Sequence, residues 1–169
     1  MNPTAKAIAI FCLFASPLAA QADCSFEPGS PNNCIRFVGC IGEDGTHFHG
    51  ISIGWGSGTV QGRTSDGESC QGTWEAARNN RRGEGYLNCG PTETAKFKFF
   101  SRGKDLQILS GVAVSSEGRR MVTWAGNDLE GYLKDRFPNG PHPGFQCGQT
   151  WVAMPTEFPD YPEKSGANE

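Results

Sequence analysis

Two histidines one residue apart, His47 and His49, stand beside two carboxylates, Glu43 and Asp44. Residues i and i+2 of a strand share a face, so both imidazoles can point the same way. Two imidazoles and a carboxylate can move a proton or hold a metal. The plainer reading is a solvent-facing pair beside a turn, with Phe48 facing the core. On the sequence we favour that reading, and expect no catalytic residue, no metal and no cofactor. A zinc site has little support, because no Cys-x-x-Cys pair occurs and neither histidine has a thiolate pair nearby. No Ser-His-Asp set, Gly-x-Ser-x-Gly elbow or phosphate loop is visible.

Two further groups of residues suit binding better than catalysis. The segment Arg78-Asn79-Asn80-Arg81-Arg82 is a basic hairpin tip, able to meet an acidic partner such as a lipid headgroup; a solvated turn is the blander account. Four tryptophans, Trp55, Trp74, Trp124 and Trp151, could form a stacking platform for sugar. In a small β domain tryptophan more often fills the core. Trp55, flanked by glycines, is the one expected at the surface.

Positioning these groups falls to strands and turns. Asp44-Gly45-Thr46-His47-Phe48-His49-Gly50 and Asp66-Gly67-Glu68-Ser69-Cys70-Gln71-Gly72 share one pattern at an interval of 22 residues. Asp-Gly between β-prone segments marks a turn, because glycine takes positive φ freely. Ile35 to Ile41 is a first strand, and Thr94 to Phe100 places Phe97 and Phe99 on one face. Leu106 to Val114 puts Leu106, Ile108, Val112 and Val114 on a shared face, and Arg119 to Ala125 returns beside it. One helix near 127–137 follows. Asn127 or Asp128 can cap it, and Leu129, Tyr132, Leu133 and Phe137 form its apolar stripe. Gln146 to Ala153 is a last strand, and the Pro-rich acidic stretch 155–169 reads as a disordered tail. The fold class expected is mainly β: an antiparallel meander of stacked hairpins, an open barrel or roll, stapled by disulfides. Residues 23–154 form its single domain.

Residues 1–22 have the form of a cleaved export signal. Lys6 supplies the charge, Ala7 to Phe14 a short apolar run, and Ala20-Gln21-Ala22 the small-x-small cleavage site. No apolar run in the rest of the chain approaches membrane-spanning length. Cys12 leaves with the signal. The six remaining, Cys24, Cys34, Cys40, Cys70, Cys89 and Cys147, read as three disulfides in an oxidising compartment. One pairing follows from register. A hairpin centred near Asn79–Asn80 sets Cys70 opposite Cys89, within disulfide reach. Cys147 is expected to tie the C-terminal strand to the N-terminal segment. The net charge of −3 argues against nucleic acid as a partner, since phosphate binding relies on surplus Lys and Arg.

Asp66-Gly67-Glu68-Ser69-Cys70-Gln71-Gly72-Thr73-Trp74, followed by Gly83-Glu84-Gly85, resembles a MORN-type repeat. The likeness spans roughly residues 45–86, with Cys70 where an aromatic is usual. It implies stacked glycine-rich hairpins and contact with lipid or protein.

The reading we favour is an exported, non-enzymatic β-rich protein of the periplasm or cell exterior. Its partner would be a protein, glycan or lipid surface, with Trp55, Arg78, Arg81 and Arg82 as candidate binding residues. The alternatives are a small hydrolase or metal-dependent enzyme using the His47/His49 face, and a structural protein touching lipid or peptidoglycan through its hairpins.

Overall fold

In the computed structural model residues 24–78, 81–102, 108–156 and 158 are described. The expected export signal, Asn79–Asn80, Leu106 and most of the expected tail lie outside them. The strands are β1 (Cys34–Ile41), β2 (His47–Trp55), β3 (Ser57–Thr64), β4 (Ser69–Ala76), β5 (Arg82–Cys89), β6 (Glu93–Arg102), β7 (Ile108–Ser115), β8 (Arg120–Gly126), β9 (Gly144–Cys147) and β10 (Thr150–Ala153). The helix α1 is Leu129–Arg136. Strands β1 to β8 pair in chain order, each antiparallel to the next, and β1 also pairs with β8. The expected open barrel or roll is therefore a closed barrel, which leaves none of its eight strands with an unpaired edge.

The two Asp-Gly copies form equivalent turns. Gly45 (φ 94°) joins β1 to β2 and Gly67 (φ 87°) joins β3 to β4, at the same end of the barrel. The 22-residue interval is thus one pair of strands, down and back.

Side-chain alternation sorts residues into an inner and an outer layer. The barrel interior holds Ile35, Phe37 and Ile41 of β1, Phe48 of β2, Val60 of β3, Leu87 of β5 and Phe97 and Phe99 of β6. Rings run along it in a column: Phe48 to Phe37 at 5.0 Å, Phe37 to Phe97, Phe97 to Phe99, and Phe99 to Trp74, each at 6.1 Å. An eight-stranded barrel is only just wide enough for side chains to fill it. Large rings therefore require small residues beside them. Phe97 lies opposite Gly85 on β5 and Ala113 on β7, and Phe99 lies opposite Gly83 and Gly111. A Cβ on Gly83 would strike the ring of Phe99, and one on Gly85 the ring of Phe97.

This constraint decides which way the shared face of Ile108, Val112 and Val114 turns on β7. Leu109 and Ala113 pack inward, whereas Val112 and Val114 are 48% and 64% exposed on the outside. The small residues must face in because Phe97 and Phe99 occupy the space. Elsewhere the outer face of β3 to β6 carries exposed Arg63, Glu75, Glu84, Lys96 and Lys98. That is the reverse of the apolar-out, polar-in alternation of a lipid-embedded barrel. Among the described residues no helix is long and apolar enough to cross a membrane.

A second core covers the outer face of β1 and β8. There Val38, Cys40 and Trp124 pack with Leu129 and Leu133 of α1, Phe145 and Cys147 of β9 and Val152 of β10. An isolated eight-residue helix is unstable in water. Burial of Leu129 and Leu133 holds this one, each contributing about 1.5–3 kcal/mol. Asp128 caps it by accepting from the Gly131 N–H, and Tyr132 and Phe137 complete the apolar stripe as expected. The single last strand expected over Gln146–Ala153 is instead a hairpin, turned at Gly148 (φ 59°). The tail does not leave the domain at Pro155: Phe158 still packs against this outer core, with the Arg36 guanidinium 4.9 Å from its ring.

Disulfides join Cys24 to Cys34, Cys40 to Cys147 and Cys70 to Cys89. Cys70 and Cys89 are directly opposed across β4 and β5 with Cα atoms 4.1 Å apart. Cys147 ties the outer hairpin to β1. At the Asp-Gly end, buried Glu93 accepts two hydrogen bonds from the Arg119 guanidinium, which also lies 3.9 Å from Asp44 and 3.8 Å from Glu117. A peptide map under non-reducing conditions should recover these three pairs and no others. Replacing Cys70 and Cys89 together by alanine should lower the free energy of unfolding in urea by about 2–4 kcal/mol. A map joining Cys70 to another cysteine contradicts the β4–β5 register.

Candidate functional site

His47 and His49 share the outer face of β2, as their spacing predicts, and Phe48 is buried in the barrel. Both are half-buried rather than fully exposed. The ring of Phe145 lies 6.3 Å from His47 and that of Phe158 lies 6.4 Å from His49, both nearly edge-on. His47 Nδ1 lies 3.1 Å from the Gly45 carbonyl. His49 Nδ1 is buried without a hydrogen-bond partner among the described residues. The expected carboxylates are turned elsewhere. Asp44 accepts the Thr46 N–H in its own turn, and that bond chiefly holds its pKa below the ordinary value. Glu43 is exposed, in a cleft with Arg120 and Arg136 beside the end of α1. Among the described residues no group of three or more His, Cys, Asp or Glu is placed to hold a metal ion.

The tryptophans do not form one platform. Trp124 is buried in the outer core, and Trp151 packs against Phe137 at 6.0 Å and donates to His142 Nδ1. Trp55 and Trp74, by contrast, meet at the barrel end opposite the Asp-Gly turns. The β2–β3 turn at Gly56 lies there, and its carbonyl accepts the Ala76 N–H of β4. The tip carrying Arg78, Arg81 and Arg82 follows directly. Sequence-predicted binding residues on separate hairpins thus gather at one mouth.

That mouth holds a cavity of about 50 Å³, walled by Phe26, Ile35, Trp55, Trp74, Phe99 and Leu109 with Asn33, Ala76 and the glycines of the β2–β3 turn. A smaller space of about 20 Å³ lies below it, sharing Trp74, Phe99 and Leu109. One water needs roughly 10–15 Å³, so the lower space has room for about one water. Phe26 reaches the mouth from the loop closed by Cys24–Cys34. The Asn33 amide fixes this loop: Nδ2 donates to the Gly54 carbonyl and Oδ1 accepts the Glu27 N–H. Asn33 therefore has its bonds satisfied, whereas the Nε1–H of Trp74 is buried without a partner among the described residues. A Cβ on Gly58 would lie 3.0 Å from that nitrogen, so the donor sits near the start of β3.

Phe26, Leu109 and Phe99 were not legible as lining. A signal for Trp74 was present: placing Cys70 inside sets Trp74, four residues on, inside as well.

No protein-family model matches the chain, and no curated protein matches it significantly. Among solved structures it is similar to a redesigned β-barrel, mFAP1, bound to DFHBI, with TM-score 0.45, 13% identity, and 57% of this chain and 94% of that one covered. It is also similar to a de novo designed fluorescence-activating β-barrel, with TM-score 0.43, 16% identity, and 61% of this chain and 94% of that one covered. At this level the likeness bears on neither ligand nor activity.

Burial, then the neighbouring His47 and Arg63, hold the pKa of His49 below its ordinary 6.5. As pH falls, the unfolded chain takes up this proton first. Its contribution should leave stability intact above about pH 7, then lower it as pH drops through 6.5 toward the folded-state value. Urea unfolding near pH 7.5 and near pH 5 should show a smaller acid loss in His49→Gln than in wild type. Equal losses in the two proteins contradict the burial of His49.

Proposed function

We propose that this is an exported, non-enzymatic binding protein that takes its ligand at the barrel mouth. One observation carries the reading: an apolar cavity walled in part by Trp55 and Trp74 lies at the end of the barrel that carries the basic tip. Small-ligand sites favour such a setting, apolar walls with few polar groups, and the mouths of β-barrels are among their common places. Export is supported by the form of residues 1–22 and by three disulfides, which persist in oxidising compartments. The periplasm or the cell exterior is the setting that fits both.

The hydrolase and metal-enzyme alternatives lose their footing in the geometry of His47 and His49. Phe145 and Phe158 stand edge-on beside the half-buried pair, and Asp44 is committed to its own turn.

The four tryptophans make the proposal testable without knowing the ligand. Indole N–H resonances of the mature protein should be followed while a small-molecule extract of the cell envelope is added. Signals of Trp74 and Trp55 should move, while those of Trp124 and Trp151 stay. Shifts confined to Trp151, or none at all, would remove the mouth as the site.

A further inference from the structure

We propose that the outer wall formed by β5 to β8 is a contact face for an anionic lipid surface. It lies on the outside of the barrel and does not depend on the mouth.

Among the described residues, the large hydrophobic side chains left exposed are Tyr86, Phe100, Val112 and Val114, and all four stand on this wall. The register makes them neighbours. Val112 is opposite Val122 of β8, Val114 follows two residues on, and Phe100 lies diagonal to Val112 across β6 and β7. A diagonal pair is within reach of an aromatic ring. Val122 is itself partly buried against the outer core. The apolar band that α1 and the β9–β10 hairpin cover on β1 and β8 thus continues, uncovered, onto β7 and β6. Single exposed apolar residues need no explanation, but a contiguous group marks a contact.

The charges on this wall are of one sign. Arg82, Lys96, Lys98 and Arg120 are all exposed on it. Among the described residues, the outer side of β6, β7 and β8 carries no carboxylate, although the chain as a whole has 18 acidic against 15 basic side chains. Glu84 on β5 borders the wall and pairs with Lys96 at 3.0 Å. A chain of net negative charge therefore gathers cations around its exposed apolar group, and an anionic surface complements that face.

The way charge and hydrocarbon are mixed favours lipid over an acidic protein. Protein interfaces gather apolar residues at their centre and are depleted of lysine. Here Lys96 and Lys98 stand inside the apolar group, directly opposite Val114 and Val112. At a lipid surface, lysine lays its stem along hydrocarbon and lifts its ammonium to the phosphates. Tyrosine, with its polar tip, belongs at the same level. Exposed Arg63, Gln71 and Glu75 on β3 and β4 keep the neighbouring wall in water, so the barrel rests on the surface rather than entering it.

The test is co-sedimentation of residues 24–169 with vesicles of phosphatidylcholine, alone or mixed with phosphatidylglycerol. The protein should bind the mixed vesicles and not the neutral ones, and added salt should weaken the binding. The double variant Lys98→Gln, Arg120→Gln should lose about five-fold in partition coefficient per cation removed. The double variant Val112→Ser, Val114→Ser should lose about ten-fold. Arg63→Gln, exposed on β3, should bind as wild type does. All five positions are exposed, and circular dichroism should show every variant folded. Equal binding to both vesicle types, binding to neither, or either double variant binding as wild type does overturns the proposal. A loss in Arg63→Gln as large as that of the cation double variant overturns the face, leaving only a general effect of charge. Soluble polyglutamate binding as tightly as the mixed vesicles, and lost in the same cation variant, overturns lipid in favour of an acidic protein.

Discussion

The structure depends on the meeting of large rings and small residues inside a narrow barrel. Phe97 lies between Gly85 and Ala113, and Phe99 between Gly83 and Gly111. A methyl group on Gly83 or Gly85 would collide with the ring beside it. Overpacking of this kind typically costs about 1–3 kcal/mol per site. The same constraint sends Val112 and Val114 outward and joins Trp74 to the upper end of the aromatic column. It also explains where space remains. The column fills the middle of the barrel, the Glu93–Arg119 pair lies at one end, and the cavity lies at the other.

The outer layer has a different task. A barrel of this length still exposes apolar residues on β1 and β8, namely Val38, Cys40 and Trp124. The helix and the β9–β10 hairpin cover them, and the Cys40–Cys147 bridge fixes that cover across a separation of 107 residues. Cross-linking so long a loop removes much of the unfolded chain's freedom. The cover extends to the histidines, since Phe145 reaches His47 and Phe158 reaches His49. A pair that resembles a proton-transfer site in sequence is part of the seam between barrel and wrapping.

Much of this was legible in the sequence where the signal was local. Turn chemistry placed the hairpins at Gly45 and Gly67, opposed register paired Cys70 with Cys89, and capping and stripe residues located the helix. What could not be read were consequences of closure. Alternation reports two faces of β7 but not which one turns inward. That choice was made by Phe97 and Phe99 on the neighbouring strand. The ring beside His49 is that of Phe158, more than a hundred residues away in sequence. The candidate site was legible in pieces. Trp55 and the arginines of the tip stood out by type, yet only the barrel brings them to the same end and adds Phe26 and Leu109.

The central claim is that, among the described residues, the aromatic column leaves the larger space of the barrel interior at the mouth and little below it. A crystal of residues 24–169 held under xenon pressure tests it most directly, because xenon enters apolar voids without needing polar partners. The account predicts a single xenon inside the barrel, at the mouth, among Phe26, Trp74, Phe99 and Leu109. Xenon beneath the ring of Phe97, between Phe37 and Phe48, or an empty mouth, would contradict it.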